Sequence, residues 1–125
     1  MPDETAALIA GLRRWTREHD AHVRAAVDLL IWHEHWLRRQ DFRQAAIKRY
    51  PRDRMHTVDW DAARAFVDRG ARASTSEMAV LDLAVALGEN RYRLSIMGSA
   101  HSRAIADAVA AAVGLGRDTK ETRNA

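Results

Sequence analysis

The chain has 125 residues, about one domain's worth, which excludes a TIM barrel and most two-domain enzymes. Hydrophobic residues make up 47%, yet 24 residues are alanine and Leu, Ile, Val and Phe together number 25, so the core must come from closely approaching helices with few bulky layers. Basic residues number 20 and acidic ones 17, for a net charge of +3, and the lack of cysteine excludes disulfides, thiolate zinc sites and cysteine nucleophiles.

Apolar runs are only a few residues long, and Met1-Pro2-Asp3-Glu4 is acidic where a signal peptide is basic. A cytoplasmic protein without membrane association is expected. From Ala6 to Tyr50 only Gly11 interrupts a helical pattern. Leu8, Leu12, Trp15, His19, His22, Ala26, Leu29, His33 and Trp36 are spaced alternately by four and three, the stripe of one long helix. Asp3 or Thr5 is suited to cap its start, and a break near His19-Asp20 has no strong signal. Arg38, Arg39 and Gln40 close it, and Asp41 with Gln44 reads as a new cap.

A short helix is expected from Phe42 to Tyr50, stopped by Pro51, with residues 51 to 57 as loop. Thr57 or Asp59 opens the next helix, in which Trp60, Ala63, Phe66 and Val67 share a face and Gly70 ends the run. Ser74-Thr75-Ser76-Glu77 is the strongest local signal, a capping box ahead of a helix through Leu81, Ala84 and Leu87 to Gly88. Arg91 to Ile96 alternates with period two, but without a partner strand it reads as an extended loop. Ser99 caps a last helix that closes at Gly114. The fold class is thus all-α: a single bundle of about five helices in residues 1–114, the first much the longest, followed by a polar, flexible tail over 115–125.

The stretch from Ser74 to Gly114 carries Ser74, Ser76 and Glu77, then Leu81-x-Leu83-Ala84, then an Ala- and Val-rich helix. In these features it resembles the C-terminal part of small helical proteins of actinobacteria and their phages or integrated elements. The resemblance implies an origin of that kind and no particular activity. The excess of arginine and alanine reads first as the codon bias of a GC-rich genome.

Three groups of residues invite chemistry. Arg38, Arg39, Arg43, Lys48, Arg49, Arg52 and Arg54 stand against Asp41 and Asp53 alone, so the chain's basicity is local. Clustered guanidinium groups suit phosphate, and Trp36, Phe42 and Tyr50 interleave with them as platforms for bases in a single strand. Read blandly, the same cations are helix ends and a solvated or protein-binding face. Six histidines are the second group. His19 and His22 share a face of the expected helix and are the metal-ligand candidates, completed by His56, His101 or a carboxylate. His33 lies too far along a rod to join them, and His33 and His35 would point to nearly opposite faces. Third, Asp53, Asp59 and Asp61 lie close in sequence but read as solvated caps, and Ser99 lacks the flanking glycines of a nucleophile elbow.

The aromatics add a question of assembly. Antiparallel self-pairing of the rod about His22 would set Leu8 opposite Trp36 and Trp15 opposite Leu29, a homodimer. The expected function is accordingly a non-catalytic helical adaptor or regulatory protein that binds a protein partner or itself. Binding of DNA or RNA through 38–54 is the alternative, and a His-based metal enzyme using His19 and His22 the second alternative. No cofactor is implied.

Overall fold

The stripe that predicts one rod is divided among three helices. The computed structural model describes residues 3–94 and 98–115. Helix α1 spans Asp3–Thr16, α2 Ala21–His33 and α3 the single turn His35–Arg38. Two local devices break the rod. At the end of α1 the Thr16 hydroxyl bonds back to the Leu12 carbonyl at 3.1 Å, and Asp20 takes an extended conformation whose carbonyl starts α2. At the end of α2, Glu34 adopts the left-handed region at φ 60°, and its N–H donates to the Leu30 carbonyl. Helix α1 thereby packs against both α2 and α3. Leu8 and Trp36, which the self-pairing scheme assigned to facing copies, are buried in one core of one chain.

Helix α4 (Gln40–Ala46) ends four residues before the expected stop, and Ile47–Tyr50 forms strand β1. Its partner β2 (Met55–Val58) lies in what reads as loop. The strands pair antiparallel, Ile47 with Val58 and Tyr50 with Met55. A 3-10 turn at Pro51–Asp53 and Arg54 at φ 52° join them. The fold is therefore mostly helical with one small two-stranded sheet. Pro51 disfavours helix at Tyr50, and a strand alternative exists because residues 55–58 come within pairing distance. A lone hairpin is marginal in water; here β2 packs on α1, and Val58 and Ile47 join the core cluster.

Helix α5 (Trp60–Arg69) begins at Asp59, whose carboxylate accepts from the Ala62 N–H at 3.1 Å, and Gly70 ends it as expected. Helix α6 (Thr75–Gly88) carries the full capping box: Glu77 N–H to Ser74 Oγ at 3.1 Å and Ser74 N–H to Glu77 Oε1 at 2.8 Å. Gly88 is buried against the Trp60 ring, so it serves close approach as well as termination. The core joins Val23, Val27 and Leu30 of α2 to Leu81 and Val85 of α6. Beside them Trp36, Phe42 and Phe66 form an edge-to-face trio with centroids 5.4 to 6.2 Å apart. The Trp36 Nε1–H donates to the Glu77 carbonyl at 2.9 Å, which fixes α3 on α6.

These elements make up a first unit that runs to Tyr92; a second begins at Arg93. In place of an extended loop the chain turns, with Asn90 at φ 57° and Arg93 at φ 50°; residues 95–97 lie outside the described residues. The second unit contains α7 (Ser99–Ala112). Its N-cap is Gly98, one residue before the expected Ser99. Of the tail expected over 115–125, residues 116–125 lie outside the described residues, as does the side chain of Asp3, one of the two expected caps. Among the described residues no helix is long and apolar enough to cross a membrane.

Candidate nucleic-acid interface

The basic segment separates into two sets once its partners are known. Arg38 pairs with Glu34, and Arg39 forks onto both oxygens of Asp41 at 3.0 and 2.7 Å while lying over the Trp36 ring. That fork holds the Asp41 carboxyl below the ordinary aspartate range, with burial opposing. Arg43 pairs with Glu4 at 3.3 Å and Lys48 with Asp59 at 3.4 Å. Arg49, Arg52 and Arg54 are exposed and have no acidic partner within 4 Å among the described residues.

The three free arginines belong to the hairpin, and α1 crosses it. Ala7, Ala10 and Gly11 are small enough for this approach: a Cβ at Gly11 would stand 2.9 Å from the His56 backbone nitrogen. Between the helix and the hairpin lies a cleft of about 780 Å³. Arg14 lines it from α1 and Arg17 from the turn just after it, Arg49 and Tyr50 from β1, and Arg54 and His56 from the hairpin turn and β2. Arg14 and Arg17 also lack an acidic partner among the described residues; Arg52 lies with Arg14, Arg54 and the carboxylate-bearing Asp53 along a shallower extension. Glu4, the acidic residue at the cleft, is already paired with Arg43.

His56 faces Arg49 across the hairpin register. Its Nδ1 is buried without a hydrogen-bond partner among the described residues. Burial, and then the Arg49 charge, push its pKa below the ordinary imidazole value.

Of the three aromatics in the segment, Trp36 and Phe42 are 0% exposed and unavailable to a ligand. Tyr50 is 45% exposed and lines the cleft. Sequence reasoning missed Arg14, Arg17 and His56 as members of this site. Its one local trace is Gly11 among alanines, a mark of close approach that does not name what approaches.

The histidines are arranged differently from the expectation. His19 lies in the bend between α1 and α2, outside the helix that carries His22. The His19 Nδ1 accepts from the Asp20 N–H at 3.0 Å, and a ring nitrogen of His22 bonds the Leu87 carbonyl at 3.2 Å, tying α2 to α6. His33 and His35, expected on opposite faces, lie with ring centroids 5.6 Å apart because Glu34 leaves helical geometry between them. His35 stands 3.5 Å from Glu77. The Glu77 carboxyl is held low first by the Ser74 N–H and then by these imidazoles. Among the described residues no three His, Asp or Glu side chains are placed to hold a metal ion. Asp59 is committed to Ala62 and Lys48, which keep its pKa low, while Asp53 and Asp61 are exposed.

Compared with protein-family models, curated proteins and solved structures, the chain matches none of them.

Proposed function

We propose that this is a non-catalytic binding protein whose arginine-lined cleft takes the phosphate backbone of a nucleic acid. The observation that carries the reading is the convergence of exposed arginines without acidic partners, Arg14, Arg17, Arg49 and Arg54 in the cleft with Arg52 beside it. Like charges held together repel, and a polyanion turns that cost into attraction while releasing its own counterions. Guanidinium is also the side chain best shaped to fork onto phosphate oxygens.

Fluorescence anisotropy with labelled oligonucleotides tests the reading. Affinity is expected to fall steeply between 50 and 200 mM salt, by the order of magnitude or more typical of several phosphate contacts. Arg49→Glu and Arg54→Glu are expected to weaken it further, while Arg38→Glu, at a position already paired with Glu34, has a smaller effect. Retention that is insensitive to salt and to these changes would contradict the proposal.

A second reading, the adaptor that binds a protein partner, is supported by Trp32, which is 79% exposed on α2 and stacked beside His33. Large exposed aromatics recur as anchors of protein interfaces.

A further inference from the structure

We infer that the nucleic acid this cleft accepts is single-stranded, with one backbone between its walls and a base stacked on Tyr50; this deepens the reading above and rests on it. Three observations point the same way.

The first is where the charges sit. Arg14 and Arg17 occupy one wall and Arg49 and Arg54 the other, with about 780 Å³ between them. A double helix carries its phosphates on a convex exterior, on strands set apart by grooves about 6 to 12 Å wide. A backbone on that convex exterior is presented to a concave site from one side. A single strand can lie between both walls, and it is then neutralised from two sides.

The second is the aromatic. Stacking needs an exposed ring beside the backbone track, and sequence offers Trp36, Phe42 and Tyr50 as equals. The core takes Trp36 and Phe42 for its edge-to-face trio. Tyr50 is the last residue of β1, next to Arg49 and on the cleft itself. Pro51 follows it and gives the chain a stiff corner there.

The third is the composition of the lining. It contains no Asn or Gln among the described residues, so the amides best suited to reading adenine edges are missing. Guanidinium groups engaged by phosphates are not free to read guanine edges, and a phenol ring stacks on any base face. Tolerance of base sequence is therefore expected.

Anisotropy on the full chain decides the matter with four probes at one salt concentration: oligothymidylate, oligouridylate, a mixed-sequence duplex of equal length, and inorganic polyphosphate. The two single strands are expected to bind at least about ten-fold more tightly than the duplex. Tyr50→Ala is expected to weaken the single strands by about ten-fold and leave polyphosphate unchanged, with Tyr50→Phe restoring most of the loss. Tyr50 lies outside the core cluster, so these variants are expected to melt like the parent chain. If the duplex binds as well as the single strands, this inference falls and the proposed nucleic-acid function stands. A single-strand preference that Tyr50→Ala leaves intact removes the stacking contact. Binding of polyphosphate alone, or of no probe, overturns the proposed function and this inference with it.

Discussion

His56 faces two opposed demands at the cleft. Burial and the neighbouring Arg49 charge both disfavour its cation, so its folded-state pKa lies below the ordinary value. The unfolded chain therefore takes the proton first as pH falls. The stability that the neutral ring contributes is complete above the ordinary imidazole range and is lost as pH drops through it toward the lower folded value. The urea midpoint is expected to decline over that window, with part of the decline missing in His56→Gln. A phosphate brought into the cleft works the other way. Its charge favours the imidazolium, so affinity is expected to rise as pH falls, and anisotropy titrations at pH 7.5 and 6 on His56→Gln would show a flatter dependence. Gly11 is the companion residue. In Gly11→Ala the new methyl meets the His56 ring and backbone, which overpacks α1 against β2 at a cost of about 1–3 kcal/mol. Ala gains up to about 1 kcal/mol over Gly as a helix former, so the expected net effect is a lower denaturation midpoint together with weaker ligand binding.

At the scale of elements, boundaries follow local chemistry where a side chain caps its own helix. The box at Ser74 and Glu77 starts α6 as its spacing predicts, and Ser74→Ala is expected to cost about 1 kcal/mol, read as a lower melting temperature. Gly70 and Asp59 bound α5 for the same reason. The corners of the amino-terminal half have weaker signatures. Asp20 begins α2 without a side-chain cap bond, and Glu34 turns the chain in a conformation that glycine would adopt more easily. Their stability comes from packing: Val27 and Leu30 against α6 on one side, and Trp36 bonded to the Glu77 carbonyl on the other. Arg64 strengthens the same seam, reaching Glu89 and Asp82 at 3.0 Å from α5. Its pKa is raised, first by the Glu89 hydrogen bonds, so it stays charged at any working pH. The hairpin is similar. Ile47 to Tyr50 has helix and strand both open to it, and pairing with β2, which packs on α1, favours the strand.

For the whole molecule the decisive quantity is the distribution of charge. A net charge of +3 predicts little by itself. With four of the seven cations of the basic segment paired, the other three and Arg14 and Arg17 put five arginines that lack an acidic partner among the described residues at one cleft and its margin. A single strand neutralised by these arginines is expected to show a slope of log K against log salt of roughly −0.7 per phosphate contacted. Each Arg→Glu change in the cleft is expected to make that slope shallower, whereas the Arg38→Glu variant keeps it. Bound strand is also expected to raise the melting temperature, with the logarithm of the ratio of free strand to Kd, because only the folded chain builds the cleft.

Capping boxes, terminating glycines, the mostly helical class and the local excess of arginine are written in residues a few positions apart, so the chain reveals them when read alone. Bonds between near neighbours need no tertiary partner. The doubling back of the amino-terminal stripe, the strand at residues 47–50 and the meeting of arginines from residues 14–17 with those of 49–54 depend on packing beyond near neighbours, as where Gly11 of α1 meets His56 of β2. Their choice lies in the free energy of burying Trp36, Phe42 and Leu8 together, which exists only once the chain has closed on itself. That burial also leaves Tyr50 as the exposed member of the three aromatics. Tyr50 faces the cleft because the core has room for the other two.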